Sequence, residues 1–300
     1  MARSKEKAYI GAYESTKDKT SQQSAMEQRR QSIGKNLNFA ASEAYKLLRT
    51  NLMFSMSDES QCKVIGVTSA LRGEGKSTTS MNLAFSLAEN GKKTLLVEAD
   101  MRIPVVAAVL KIAPEPGLSH VLAGLGDLNM AVRRTSLSSS LFVLPAGEIP
   151  PNPSEMLSSK RMQLVIDALS KTFDYIIIDL PPINAVSDGL AVSSLLSGMI
   201  MVVRQDYCDQ HALAEAMRQL EFLEVKMLGF VLNGADTQRK RYQYGRYKSK
   251  KYYRSGYGYG YGYGYGYGYG HRYGKKSTMP AEPVTDVENI PQYDAPAEEP

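Results

Sequence analysis

The sequence predicts an α/β domain with a mostly parallel sheet and helices on both faces. Apolar runs alternate with helical patterns, and the runs are nearly continuous in Val, Ile and Leu, as strands covered on both sides are. One run also opens through a glycine-containing loop directly into a helix. A first helix begins around Ser42 and passes through Ala44, Leu47, Leu48 and Met53. Strands are expected at Lys63–Ser69, Lys93–Val97, Leu141–Pro145, Tyr175–Asp179, Gly198–Arg204 and Met227–Asn233. Helices are expected between them at Lys76–Asn90, Pro153–Thr172, Gly189–Leu196 and Gln210–Leu223. Residues 37–236 then form one domain of about 200 residues, within the usual size range.

Charge divides the chain along the same lines. Residues 1–36 hold eight Lys/Arg and four Asp/Glu without apolar periodicity, and are read as a flexible polar segment. Residues 37–236 hold 17 bases and 21 acids, a net charge of −4. Residues 237–276 hold 11 bases and no acid, and residues 277–300 hold six acids and no base. The basic segment carries 13 of the 19 tyrosines, at Tyr242, Tyr244, Tyr247, Tyr252, Tyr253, Tyr257, Tyr259, Tyr261, Tyr263, Tyr265, Tyr267, Tyr269 and Tyr273. Seven of them alternate strictly with glycine from Gly256 to Gly270, a composition that cannot repay its ordering entropy with a core. The acidic, proline-rich end is read as extended in the same way. No run approaches the ~20 apolar residues of a membrane span, and the polar first residues lack the apolar stretch of a secretory signal. Cys62 and Cys208 imply neither a disulfide framework nor a zinc cluster and are read as free thiols in a reducing cytosol.

The chemistry starts after the first strand. Ala70-Leu71-Arg72-Gly73-Glu74-Gly75-Lys76-Ser77-Thr78 matches the phosphate-binding pattern G-x-x-x-x-G-K-[ST], with Ala70 in place of the first glycine. On such a sheet this is the P-loop NTPase arrangement. Glycines let backbone N–H groups turn toward an anion, and the following helix adds its positive end. Arg72, Gly73, Glu74, Gly75, Lys76, Ser77 and Thr78 are therefore candidate nucleotide-binding residues. Lys76 can reach the β- and γ-phosphates of ATP, and Ser77 can offer a hydroxyl to Mg²⁺. Asp179 closes the strand Tyr175–Asp179, where an acid can hold the Mg²⁺ shell. Glu98 and Asp100 follow the strand Lys93–Val97, and alternation places them on one side. Either can hold metal-bound water or accept a hydroxyl proton, so Lys76, Glu98, Asp100 and Asp179 are the catalytic candidates, and Ser77, Asp100 and Asp179 the metal candidates.

Taken together these motifs resemble the bacterial tyrosine kinases of capsule and exopolysaccharide systems. Ala70–Ser77, Leu95-Leu96-Val97-Glu98-Ala99-Asp100-Met101-Arg102 and Ile176–Pro182 correspond to that family's three nucleotide motifs. Glu43, Lys46 and Arg49 match the spacing of its oligomerisation helix, and the tyrosine cluster completes the pattern. Glu98 departs from the usual Asp and Lys46 from the usual Arg, losing the planar fork of a guanidinium. The resemblance implies autophosphorylation in trans, a homo-oligomer that is ring-like when unphosphorylated, and a cognate phosphotyrosine phosphatase. It implies a cytoplasmic chain recruited to the inner face of the membrane by a transmembrane modulator of chain-length-determinant type. It also implies adenine contact by Asn233, with Arg204 near the base.

Two other readings compete. Partitioning and division-site switch ATPases share this fold, but they usually carry an extra lysine early in the loop, and Ala70-Leu71-Arg72 has none. A Tyr/Gly/Lys/Arg segment can also stack on RNA or self-associate. The motif set favours the kinase, and no nucleic acid is expected as a partner.

Overall fold

The structure, a computed structural model, describes Ser24, residues 26–56 and residues 61–235. Among the described residues seven strands form one sheet in the order β3-β4-β2-β5-β1-β6-β7. These are β1 (Lys63–Ser69), β2 (Thr94–Glu98), β3 (Arg133–Arg134), β4 (Leu141–Leu144), β5 (Tyr175–Asp179), β6 (Gly198–Arg204) and β7 (Met227–Asn233). All neighbours are parallel except β3, which pairs antiparallel with β4 at one edge. The central strands β5, β1 and β2 are almost wholly buried, which is why their middles read as apolar runs rich in Val, Ile and Leu.

Helices cover both faces. α1 (residues 26–31), α2 (Phe39–Ser55), α3 (Lys76–Glu89) and α4 (Val106–Leu110) enclose one apolar layer with Ile65, Leu96, Ile177 and Ile200. α5 (Leu118–Leu122), α6 (Leu128–Ala131), α7 (Pro153–Leu157), α8 (Lys160–Ser170), α9 (Asp188–Ala191) and α10 (Gln210–Phe222) cover the other, with Leu95, Ile176, Ile178 and Met201. Truncating any of these strand residues to Ala costs ~2–5 kcal/mol.

Several boundaries differ from the sequence reading, each for a local reason. α2 starts at Phe39 because the Asn38 side chain caps it, accepting from Ala41 N at 2.9 Å. The helix expected over Pro153–Thr172 is two, because Ser159 caps a new start by accepting from Met162 N at 3.2 Å. The helix expected at Gly189–Leu196 is α9 followed by a 3-10 turn at Ser193–Leu195. Residues 26–36 are not a loose extension. Ile33 is buried, and Asn82 of α3 accepts from Gly34 N at 2.8 Å and donates to Ser32 O at 2.9 Å. One isoleucine in a polar stretch has no period by which to announce itself.

The pairing of β6 with β7 is interrupted once. Met199 faces Met227 and Ile200 faces Gly229, so Leu228 is an extra residue in β7. Gly229 takes a positive φ of 143° there. Beyond this bulge the register runs to Arg204 opposite Asn233, where the compact unit closes. The tyrosines from Tyr242 to Tyr273 and the end from residue 277 lie outside the described residues. Among the described residues, no helix is long and apolar enough to cross a membrane.

Candidate active site

The phosphate-loop residues join β1 to α3 at the ends of the parallel strands. Gly73 and Gly75 take φ values of 88° and 96°, in the left-handed region that favours glycine. Three consecutive carbonyls of the loop are held from outside. Tyr207 Oη donates to Arg72 O at 2.8 Å, Arg204 Nη1 to Gly73 O at 3.2 Å, and Asn233 Nδ2 to Glu74 O at 2.8 Å. In a planar trans peptide the N–H points opposite to the C=O. The N–H groups of Gly73, Glu74 and Gly75 therefore face away from these donors, as an anion-binding nest requires. The buried Glu74 carboxylate staples the loop, accepting from Leu71 N at 2.7 Å and Arg204 N at 3.3 Å. Ser77 and Thr78 are half-buried in the first turn of α3.

Three charged groups converge beside the loop. Lys76 Nζ lies 2.7 Å from Asp100 Oδ2 and 3.9 Å from Asp179 Oδ1. Burial opposes the charge on Lys76, but Asp179 and Asp100 outweigh it and raise the proton affinity of the amine. Ser80 Oγ donates to Asp179 Oδ1 at 3.1 Å. Asp179 Oδ2 is buried without a hydrogen-bond partner, and burial pushes its carboxyl above the usual range against the pull of Lys76. An orphaned carboxylate oxygen at 0% exposure, with a second carboxylate and the Ser77 hydroxyl nearby, suits a hard divalent cation.

Glu98 is placed differently. Its carboxylate accepts from Val105 N, from Val106 N at 2.6 Å and from Ala146 N at 3.3 Å. It therefore fastens the start of α4 and the chain after β4, and burial pushes its carboxyl up to about 7. Asp100 and Glu98 thus engage different partners. Arg204 and Asn233, expected at the base, both touch the loop backbone.

The oligomerisation candidates lie on α2, away from this cluster. Glu43 and Lys46 form an exposed ion pair at 2.8 Å, whereas Arg49 Nη1 donates to Ser86 O of α3 at 2.8 Å. Phe39, Leu47 and Phe54 of the same helix are exposed. The sequence reading missed Tyr207 and Asp188. Asp188 lies six residues past Pro182 in a segment with no motif, and it receives Arg102 through two hydrogen bonds.

A family model described as an AAA domain matches residues 62–224. The tyrosine-protein kinase YwqD of Bacillus subtilis is 38% identical over 216 residues, 72% of this chain and 89% of that protein. The chain belongs to the bacterial tyrosine-protein kinases. A solved structure agrees: the kinase domain of Escherichia coli tyrosine kinase ETK superposes with a TM-score of 0.65 at 29% identity, covering 76% of this chain and 84% of that one. The septum site-determining protein MinD of Pyrococcus horikoshii, in complex with Mg-ADP, is less similar, with a TM-score of 0.50 at 25% identity over 59% of this chain and 73% of that one. The kinase family is therefore favoured over the switch ATPases.

Proposed function

We propose that this tyrosine kinase transfers the γ-phosphoryl group of ATP to its own C-terminal tyrosines in trans, and thereby regulates capsular or exopolysaccharide synthesis or export. The observation that carries the reading is the cluster of Lys76, Asp100 and Asp179 at the phosphate loop. Arg72 to Thr78 hold the phosphates through backbone N–H groups, and Lys76 neutralises charge on the β- and γ-oxygens. Ser77, Asp100 and Asp179 are the residues that would hold Mg²⁺, which would neutralise phosphate charge when bound. The MinD complex with Mg-ADP supports nucleotide and metal binding on this fold. Arg204 and Asn233 brace the loop from the side assigned to the base. Asp100, rather than Glu98, takes the proton of the attacking tyrosine hydroxyl, because Asp100 lies against Lys76 at the phosphate loop whereas Glu98 is turned to the backbone amides of Val105, Val106 and Ala146.

The acceptors are Tyr242 to Tyr273 of a neighbouring subunit. Glu43 and Lys46, with the exposed Phe39, Leu47 and Phe54, form the contact that builds the unphosphorylated ring, while Arg49 supports it by tying α2 to α3. A transmembrane modulator recruits the cytoplasmic chain to the membrane, and a phosphotyrosine phosphatase resets it. Purified protein with ATP and Mg²⁺ should accumulate phosphotyrosine. Deleting residues 242–273 should remove most of it while nucleotide binding persists. Phosphate mapped mainly to Tyr9, Tyr13 or Tyr45 would contradict the choice of acceptors.

A further inference from the structure

Asp188 is a fully buried carboxylate that the chemistry described above does not use. It stands at the first position of α9, with 0% exposure. Arg102 Nε donates to its Oδ2 at 2.7 Å and Arg102 Nη2 to its Oδ1 at 3.0 Å, a bidentate pair, and Ser154 Oγ of α7 also donates to Oδ1. Burial would raise this carboxyl, but the Arg102 and Ser154 hydrogen bonds outweigh it and hold it below the usual carboxylate range. Stability alone accounts poorly for such a group. A buried ion pair is often no better than apolar residues of the same volume, and here the Arg102 side chain is still 44% exposed.

Location gives the pair another use. Arg102 is two residues past Asp100, in the turn that links β2 to α4. Within that turn Ile103 N donates to Asp100 Oδ1 at 3.2 Å, and Asp100 Oδ2 faces Lys76. One end of the turn is fixed by Glu98 holding Val105 and Val106, and the other by Ala99 N donating to Asp179 O at 2.9 Å. Between these anchors, among the described residues, two side chains of the turn form ion pairs to helices: Asp100 to Lys76 of α3 and Arg102 to Asp188 of α9. We infer that Asp188 is a positioning residue for tyrosine phosphorylation: by clamping Arg102 it fixes the turn that carries Asp100 against Lys76.

The inference rests on the reading of Asp100 as the proton acceptor. It is tested on the full chain with four variants: Asp188→Asn, Arg102→Met, their double, and Asp100→Asn. A displacement of ~1 Å at a reacting group can cost ~10²-fold in rate. Asp188→Asn should lower kcat for autophosphorylation by ~10- to 100-fold and leave KM for Mg-ATP within about threefold. In the Arg102→Met background the same change should have almost no further effect. The double variant leaves no buried charge unpaired and should show the same loss of kcat, so it keeps the test open if either single variant folds poorly, and thermal unfolding reports folding in each case. Wild-type kcat in folded Asp188→Asn, a change in KM alone, or undiminished loss in the Arg102→Met background would each overturn the clamp. Full activity of Asp100→Asn would overturn the reading of Asp100 and the clamp with it. An inactive Asp100→Asn beside a fully active Asp188→Asn would remove the clamp alone.

Discussion

Replacing Glu98 by Gln should change how stability depends on pH, with a sign fixed by the burial of the group. In the folded chain the carboxyl is pushed from 4.5 up to about 7, first by burial and further by Asp179, against three backbone amides. The unfolded chain returns it to the ordinary value of ~4.3. Between these two values the folded state keeps the proton and the unfolded state has lost it, so stability falls as pH rises. A gap of about 2.5 pH units corresponds to ~3 kcal/mol, fully lost above pH 7. For about 200 ordered residues that is of the order of 5–10 °C in Tm. Glutamine cannot ionise and removes this slope. It also turns an N–H group toward a backbone amide, which costs ~1–3 kcal/mol at every pH. Thermal unfolding of both proteins from pH 5 to pH 8 gives the comparison. The wild type should be the more stable at pH 5, and its advantage should shrink or reverse by pH 8. A difference that stays constant across the range would refute the reasoning.

Lys76→Met should lower phosphotyrosine formation by ~10²–10³-fold in a folded protein, read by anti-phosphotyrosine blot beside a melting curve. Gly75→Ala should abolish nucleotide binding, measured by calorimetry, because its Cβ would sit 2.0 Å from Asn233 Nδ2 at a φ of 96°. Adding Asn233→Ala should relieve the clash but not the backbone strain, restoring binding only in part. Glu43→Ala with Lys46→Ala should shift the unphosphorylated protein toward monomer by light scattering with little change in Tm, since an exposed pair is worth ~0.3–0.5 kcal/mol. Adding Arg49→Ala should also lower Tm, because Arg49 holds α3.

Four strands were legible to the residue, β1, β5, β6 and β7, because each is an apolar run with abrupt ends. β3 has two residues and α4, α5 and α6 have four or five each, too few for any period to show. The convergence of Lys76, Asp100 and Asp179 was readable, since parallel strands bring their C-terminal ends to one edge. The direction of Glu98 was not. Alternation holds within a strand, and β2 ends at Glu98, so Asp100 is already in the turn. Spacing placed Arg49 on the helix face of Glu43 but could not show that this edge of α2 meets Ser86. Asp188 gave no signal because its partner is 86 residues away.

Leu228 is a residue that the sheet does not count. Two side chains on β7 are opposed by one on β6 at this point, and the pairing beyond it proceeds as though Leu228 were absent. A chain shortened by that one residue could pair Met199 with Met227 and Ile200 with Gly229 in direct succession, leaving Asn233 opposite Arg204 and within reach of Glu74. Removing Val231 instead would draw Asn233 back to the level of Val203 and turn its amide to the opposite face, away from the loop. The bulge thus makes β7 tolerant of a change in length at one position and intolerant at the next few. A gap in an alignment of related chains belongs at 228, and a length change between 230 and 233 marks a chain in which another residue braces the phosphate loop.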